Sequence, residues 1–263
     1  MLGIIIGSFL NVVIYRLHTG KSLNGRSHCM SCGKTLSWFE LFPIFSYFFL
    51  RGKCRGCRAY IPSRYFLVEF FTGILYMLIW HLFGGSLLLT ILNLILISLL
   101  MIIVVYDMRH TIIPDELSVG VGVVAIVLLI QDFILYRNIT DIGMSMLGGL
   151  CVFIFFGGLW YISKGRWIGF GDAKLALPLA IIVGLGGVFS MVVLSFWIGA
   201  LVSVMLLGVG KIVNSGKIRL QFRTLPLTIK SEIPFAPFLI MGFLLVHFFH
   251  ADIFSITYAL FFA

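Results

Sequence analysis

Apolar runs about 20 residues long, Leu87 to Tyr106 and Leu117 to Tyr136 among them, constrain this chain more than any motif it carries. Runs of that length match the hydrocarbon thickness of a bilayer, and lipid offers no partner to a backbone N–H or C=O. They are continuous and rich in Leu, Ile, Val and Phe rather than alternating, so helices are expected and a barrel is not. With 60% of residues hydrophobic and 11% charged, the expected class is an all-α polytopic membrane protein.

Charges, Gly and Pro punctuate the runs into about eight transmembrane helices. The spans are Met1 to Tyr15, Tyr65 to Phe83, Leu87 to Tyr106, Leu117 to Tyr136, Ile142 to Ser163, Leu175 to Val188, Phe189 to Val209, and Phe235 to Phe249 or beyond. The first is short for a bilayer, and the pair meeting at Gly184 to Gly187 has no sharp division. The opening segment lacks the basic start and small-residue cleavage site of a signal peptide, so it reads as a retained helix. With the amino terminus outside, this path collects every Lys and Arg except Arg137 on one side, the cytoplasmic one, with Lys21, Lys211, Lys217, Arg219, Arg223 and Lys230 included. The net charge of +9 therefore reads as orientation, and no nucleic-acid partner is expected. Three parts follow: a first helix over 1–16, a cytoplasmic loop over 17–64 and a transmembrane part over 65–263.

The loop carries Cys29-Met-Ser-Cys32 and Cys54-Arg-Gly-Cys57. Two such knuckles present four thiolates to one tetrahedral ion and match structural zinc spacing; two disulfides are the competing reading, disfavoured in a reducing cytoplasm. Four protein ligands leave no open position, so the metal's role is structural: it holds a loop of poor apolar content in one shape. Cys151, inside the fifth span, reads as a small buried apolar residue.

Asp107 and Asp172 each sit where an apolar run meets a basic segment, in VVYDMRHTIIPDE and GRWIGFGDAKLAL, and carboxylates there are functional candidates by default. Asp107 ends a helix, where the dipole disfavours negative charge. Asp172 follows Gly169 and Gly171, which permit a tight turn and close approach, though it could equally cap the sixth helix. Asp115, after Pro114 and before an apolar run, reads first as a helix cap. Two neighbouring carboxyl groups sharing a proton can hydrolyse an amide, one as base on water and one as acid to the carbonyl oxygen. No Ser occupies a nucleophile elbow, and the six His are scattered singly. Glu69, Asn11 and Lys174 are candidates to orient a peptide or tune the pair; structural polar contacts, or a snorkelling Lys174, are the plainer readings.

In order along the chain stand GSFLNVVIYRL (Gly7 to Leu17), the Cys pairs, LVEFFTG (Leu67 to Gly73), the Asp107 stretch closing on IPD, GFGDAKL (Gly169 to Leu175) and IPFAPFL (Ile233 to Leu239). Together they resemble the type IV prepilin leader peptidases, over nearly the whole chain. The resemblance implies a GxGD-type aspartic protease of the bacterial inner membrane with Asp107 and Asp172 as its pair. Its substrates would be type IV prepilins or pseudopilins, cut after Gly behind a short basic leader. It also implies N-methylation of the new amino terminus with S-adenosylmethionine, an activity associated with the cysteine loop. Ala236 stands where the family often has Gly. Three other classes compete. A proton-coupled transporter should place carboxylates near the midplane on repeated halves, and a zinc-bearing assembly subunit gives no reason for GxGD. A presenilin-like protease would lack the four cysteines.

Overall fold

The computed structural model describes residues 1–19, 22, 24–213 and 233–253. The helices are α1 (Leu2–Arg16), the short α2 (Phe45–Phe49), α3 (Arg64–Phe83), α4 (Leu87–His110), α5 (Asp115–Tyr136), α6 (Ile139–Ser163), α7 (Phe170–Val213) and α8 (Ala236–Phe249). Among the described residues no strand forms, and the only pairing outside helices is two isolated bridges in the cysteine loop. Five helices are long and apolar enough to cross a membrane, α3 to α7, while α1 and α8 are apolar but shorter. The chain is therefore an all-helical membrane protein.

The two spans expected at Leu175 to Val188 and Phe189 to Val209 are continuous in α7, except at Gly184, where φ is 74° and ψ 166°. That combination is essentially reserved for glycine, so the break falls at Gly184, ahead of the expected boundary.

Two compact units divide the chain, Met1–Ile102 and Ile103–Ala263. In the first, α1 packs on α3. The helices approach closely because Gly7 leaves room: a Cβ there would stand 2.7 Å from the Glu69 Cα. In the second, α7 is the common partner, packing against α5, α6 and α8. Phe156 and Phe243 are among its largest fully buried side chains. On α6 the stripe of Gly149, Val152 and Phe156 is buried, whereas Cys151 falls outside it and is exposed. This overturns the expectation of a buried Cys151: in a membrane helix an apolar residue gains nothing from facing protein rather than lipid.

Candidate active site

α4 carries Asp107 in its last turn, and α7 carries Asp172 in its first. Both lie in the second unit and both are withdrawn from solvent, with 4% of Asp107 and 7% of Asp172 exposed. They are close enough that the charge of Asp107 acts on Asp172. The structure thus places the two carboxylates singled out in the sequence within electrostatic reach of each other.

Local geometry explains how each is held. The Gly169 N–H donates to Asp172 Oδ2 at 3.2 Å, so Asp172 satisfies one orphan donor at the start of α7. The capping reading of Asp172 therefore holds beside any chemical one. Gly171 faces the chain between α4 and α5: a Cβ would come within 3.2 Å of the Ile113 Cβ, so the close approach expected of this glycine is made. The backbone N–H of Ala236, at the start of α8, faces the Asp107 carboxylate. The Oδ2 of Asp107 is buried and finds no hydrogen-bond partner among the described residues. A buried carboxylate oxygen left in that state is costly in a purely structural role.

Asp115 departs from expectation. It is the first residue of α5, the preceding Pro114 is the cap position, and no side-chain capping bond forms. Its carboxylate instead receives Lys174 Nζ at 2.8 and 3.0 Å. The helix-start context is right, but the cross-helix ammonium competes better than backbone N–H groups already facing water. The same pair assigns Lys174 a structural contact, with Nζ also 5.1 Å from the centre of the Phe170 ring. Phe170 in turn sits against Trp160, ring centres 4.9 Å apart, fixing the start of α7 on the end of α6.

Glu69 and Asn11 belong to the first unit and hold backbone there. Glu69 Oε2 accepts from the Ile44 N–H at 2.7 Å, and Asn11 Nδ2 donates to the Tyr65 carbonyl at 3.0 Å. Sequence reasoning missed the Ala236 N–H, because a backbone donor leaves no residue-type signal. The IPFAPFL string marked its neighbourhood, nothing more.

The four cysteines of the loop also converge. Their Sγ atoms all lie within 4.8 Å of one another, and those of Cys29 and Cys57 are 3.8 Å apart. A tetrahedral ion with bonds of about 2.3 Å to sulfur sets an S···S edge of about 3.8 Å, so the residues fit a metal. Each knuckle is braced alike. The Gly33 N–H bonds the Cys29 carbonyl and the Arg58 N–H bonds the Cys54 carbonyl, both at 2.9 Å. Gly33 and Arg58, four residues past those cysteines, are left-handed, with φ of 69° and 58°. The N–H groups of Cys32 and Ser31 lower the Cys29 thiol to about 6 against the effect of its burial. At Cys57 the Ala59 N–H favours the thiolate, but desolvation and the other three thiols push it up to about 11.

Comparison with known proteins matches two successive stretches of the chain. Residues 1–83 match the bacterial peptidase A24 N-terminal domain, and residues 94–204 the type IV leader peptidase family. A prepilin leader peptidase/N-methyltransferase of Myxococcus xanthus is 42% identical over 120 residues, which is 45% of this chain and 36% of that protein. Another from Vibrio cholerae is 30% identical over 204 residues, covering 70% of this chain and 76% of the relative. A type 4 prepilin-like proteins leader peptide-processing enzyme of Escherichia coli is 32% identical over 225 residues, 76% and 75% of the two chains. No solved structure matches. The two family models match successive stretches, and relatives covered to about three quarters of their length reach 30% identity or more, so this chain belongs to the type IV leader peptidase family.

Proposed function

We propose that the chain removes the short basic leader of type IV prepilins or pseudopilins, cutting after Gly at the cytoplasmic edge of the bacterial inner membrane, with Asp107 and Asp172 as the catalytic pair. The observation that carries this reading is the partnerless Oδ2 of buried Asp107, within electrostatic reach of the buried carboxylate of Asp172. Such a pair, sharing one proton, takes a water between its members. The ionised carboxylate draws a proton from that water as its oxygen bonds the scissile carbonyl carbon, and the protonated carboxyl gives its proton to the carbonyl oxygen. The resulting diol collapses, the C–N bond breaks, and the leaving amine takes a proton back. A prepilin, basic in its leader and apolar in the helix that follows, presents that bond at the membrane edge. Gly171 supports the pair by letting α7 begin against Ile113, and Gly169 by giving its N–H to Asp172; Lys174 and Asp115 stabilise the same turn from outside.

The relatives are also named N-methyltransferases, and on that ground the proposal extends to N-methylation of the new amino terminus, with S-adenosylmethionine as the donor that the resemblance implies. The apolar groove of the first unit, about 510 Å³ and lined by Ile4, Phe70, Ile74, Met77 and Trp80 among others, offers no carboxylate to a sulfonium nucleoside and does not fit that donor. No methyl-transfer step is drawn through it. Cys29, Cys32, Cys54 and Cys57 would hold zinc, which supplies no reactive position there and ties the two knuckles together.

The test incubates purified protein with a prepilin and S-adenosylmethionine in detergent and reads the product's amino-terminal mass. Asp107→Asn and Asp172→Asn are each expected to lower cleavage by about 10²–10⁴-fold or more while the thermal transition persists. Full processing by either variant would remove that residue from the chemistry. A shortened product without added methyl would restrict the proposal to peptidase.

A further inference from the structure

Glu69 is a buried acid that the proposed chemistry does not use, and it points to a second function of the cysteine loop. Its Oε2 holds the N–H of Ile44 at 2.7 Å. Ile44 is a β-branched residue at φ 64°, a conformation that persists only where its surroundings impose it. The segment pinned in this way runs from the turn Trp38–Glu40 through α2 and turns its large apolar side chains outward. Trp38 is 79% exposed and Phe49 84%, with Phe42, Phe45 and Phe48 exposed between them. A patch of that size on protein facing only water is abnormal.

Two observations identify what covers it. The first is continuity with a membrane-spanning surface. Tyr47 stacks on Phe66 at 5.6 Å and Phe48 meets the same ring edge-on at 5.2 Å. Phe66 stacks on Phe70 at 5.7 Å, and Phe70 and Phe71 are themselves exposed on the span Arg64–Phe83. The aromatic surface of the loop thus runs into the outer face of α3 at its first turns. The second is charge. Between residues 17 and 64 the only acid is Glu40. It is buried, accepting from the Ser37 N–H at 2.8 Å and from Lys34 at 3.4 Å. Arg51, Lys53, Arg55 and Arg58 are exposed around the aromatic segment, and no exposed carboxylate of the loop opposes them.

We propose that residues 38–49 form an interfacial foot, seated among the headgroups of anionic phospholipid with its aromatic side chains at the acyl boundary and the loop's Arg and Lys on the phosphates. Aromatic rings beside cations are the composition that lies in such an interface. Glu69 is a positioning residue for the foot, tying it to the turn of α3 that enters the bilayer. The metal-binding knuckles on either side of the foot are thereby held at the membrane surface.

The test places the full chain in nanodiscs containing anionic lipid, with spin-labelled lipids that quench either near the headgroup or near the acyl terminus. The Trp38 signal is the difference between the parent protein and Trp38→Phe. Shallow quenching of Trp38 that exceeds deep quenching, and weakens by about twofold in Glu69→Gln or when zwitterionic lipid replaces anionic, is the expected result. A Trp38 signal untouched by shallow quencher and open to iodide would overturn the proposal. So would shielding that arises only after a prepilin is added, or only in discs holding two copies, which would give the patch to substrate or to a second chain. Trp38→Phe conserves the aromatic ring, and an unchanged thermal transition in Glu69→Gln separates loss of docking from loss of folding.

Discussion

Asp115 and Asp172 both open helices after a chain-bending residue, yet their carboxylates end in different places. Asp172 turns inward to the Gly169 N–H beside Asp107, and Asp115 turns outward to Lys174. The side chains of that ion pair are 37% and 68% exposed, so it contributes about 0–1 kcal/mol. Asp115→Asn and Lys174→Gln should each leave leader removal within a few-fold of the parent and lower the thermal transition only slightly. A loss in Asp115→Asn comparable to that in Asp107→Asn would move the chemistry to Asp115. What faces Asp107 from position 236 is a backbone N–H, and the Ala236 side chain is fully buried.

The break in α7 and the two cysteine knuckles show how single backbone positions shape whole elements. Gly184→Ala would force a Cβ into a conformation at φ 74° and ψ 166°, costing about 1–3 kcal/mol and lowering the thermal transition in detergent. Gly242→Ala tests the contact of α8 with α7: its Cβ would meet Ser195 Oγ and stand 2.6 Å from the Met191 carbonyl, a clash with backbone worth about 1–3 kcal/mol. In the knuckles, a metal takes thiolates only. With Cys57 pushed up to about 11 and Cys29 lowered to about 6, the metal-free tetrad still holds protons near neutrality. Metal uptake at about pH 7 should therefore release protons, and affinity should rise with pH. In competition with a chromophoric chelator, the metal should be withdrawn more readily at about pH 6 than at about pH 8. A pH-independent competition would mean that the four thiols are not the ligands.

At the scale of the whole chain, membrane orientation rests on the sorting of Lys and Arg, all but Arg137 on one side of the expected path. Lys21, Lys217, Arg219, Arg223 and Lys230 lie outside the described residues, and the rule rests on the sequence for them. Phosphatase fused in the turn at Arg137, where α5 ends, should be active outside the cell, whereas fusion between Cys32 and Cys54 should be inactive. The reverse pattern would invert the orientation. Helix type, the long apolar spans and the cysteine tetrad were legible because each depends on a local quantity: run length against bilayer thickness, or donor type at fixed spacing. The sequence by itself also named Asp107 and Asp172, since a carboxylate at a membrane edge is conspicuous. Only the tertiary structure decided that Asp115 pairs with Lys174, that Cys151 faces outward, that Glu69 holds Ile44, and that the Ala236 N–H faces Asp107. Those outcomes depend on which groups distant in sequence arrive together, and a backbone donor or an outward helix face carries no mark in the residue that supplies it.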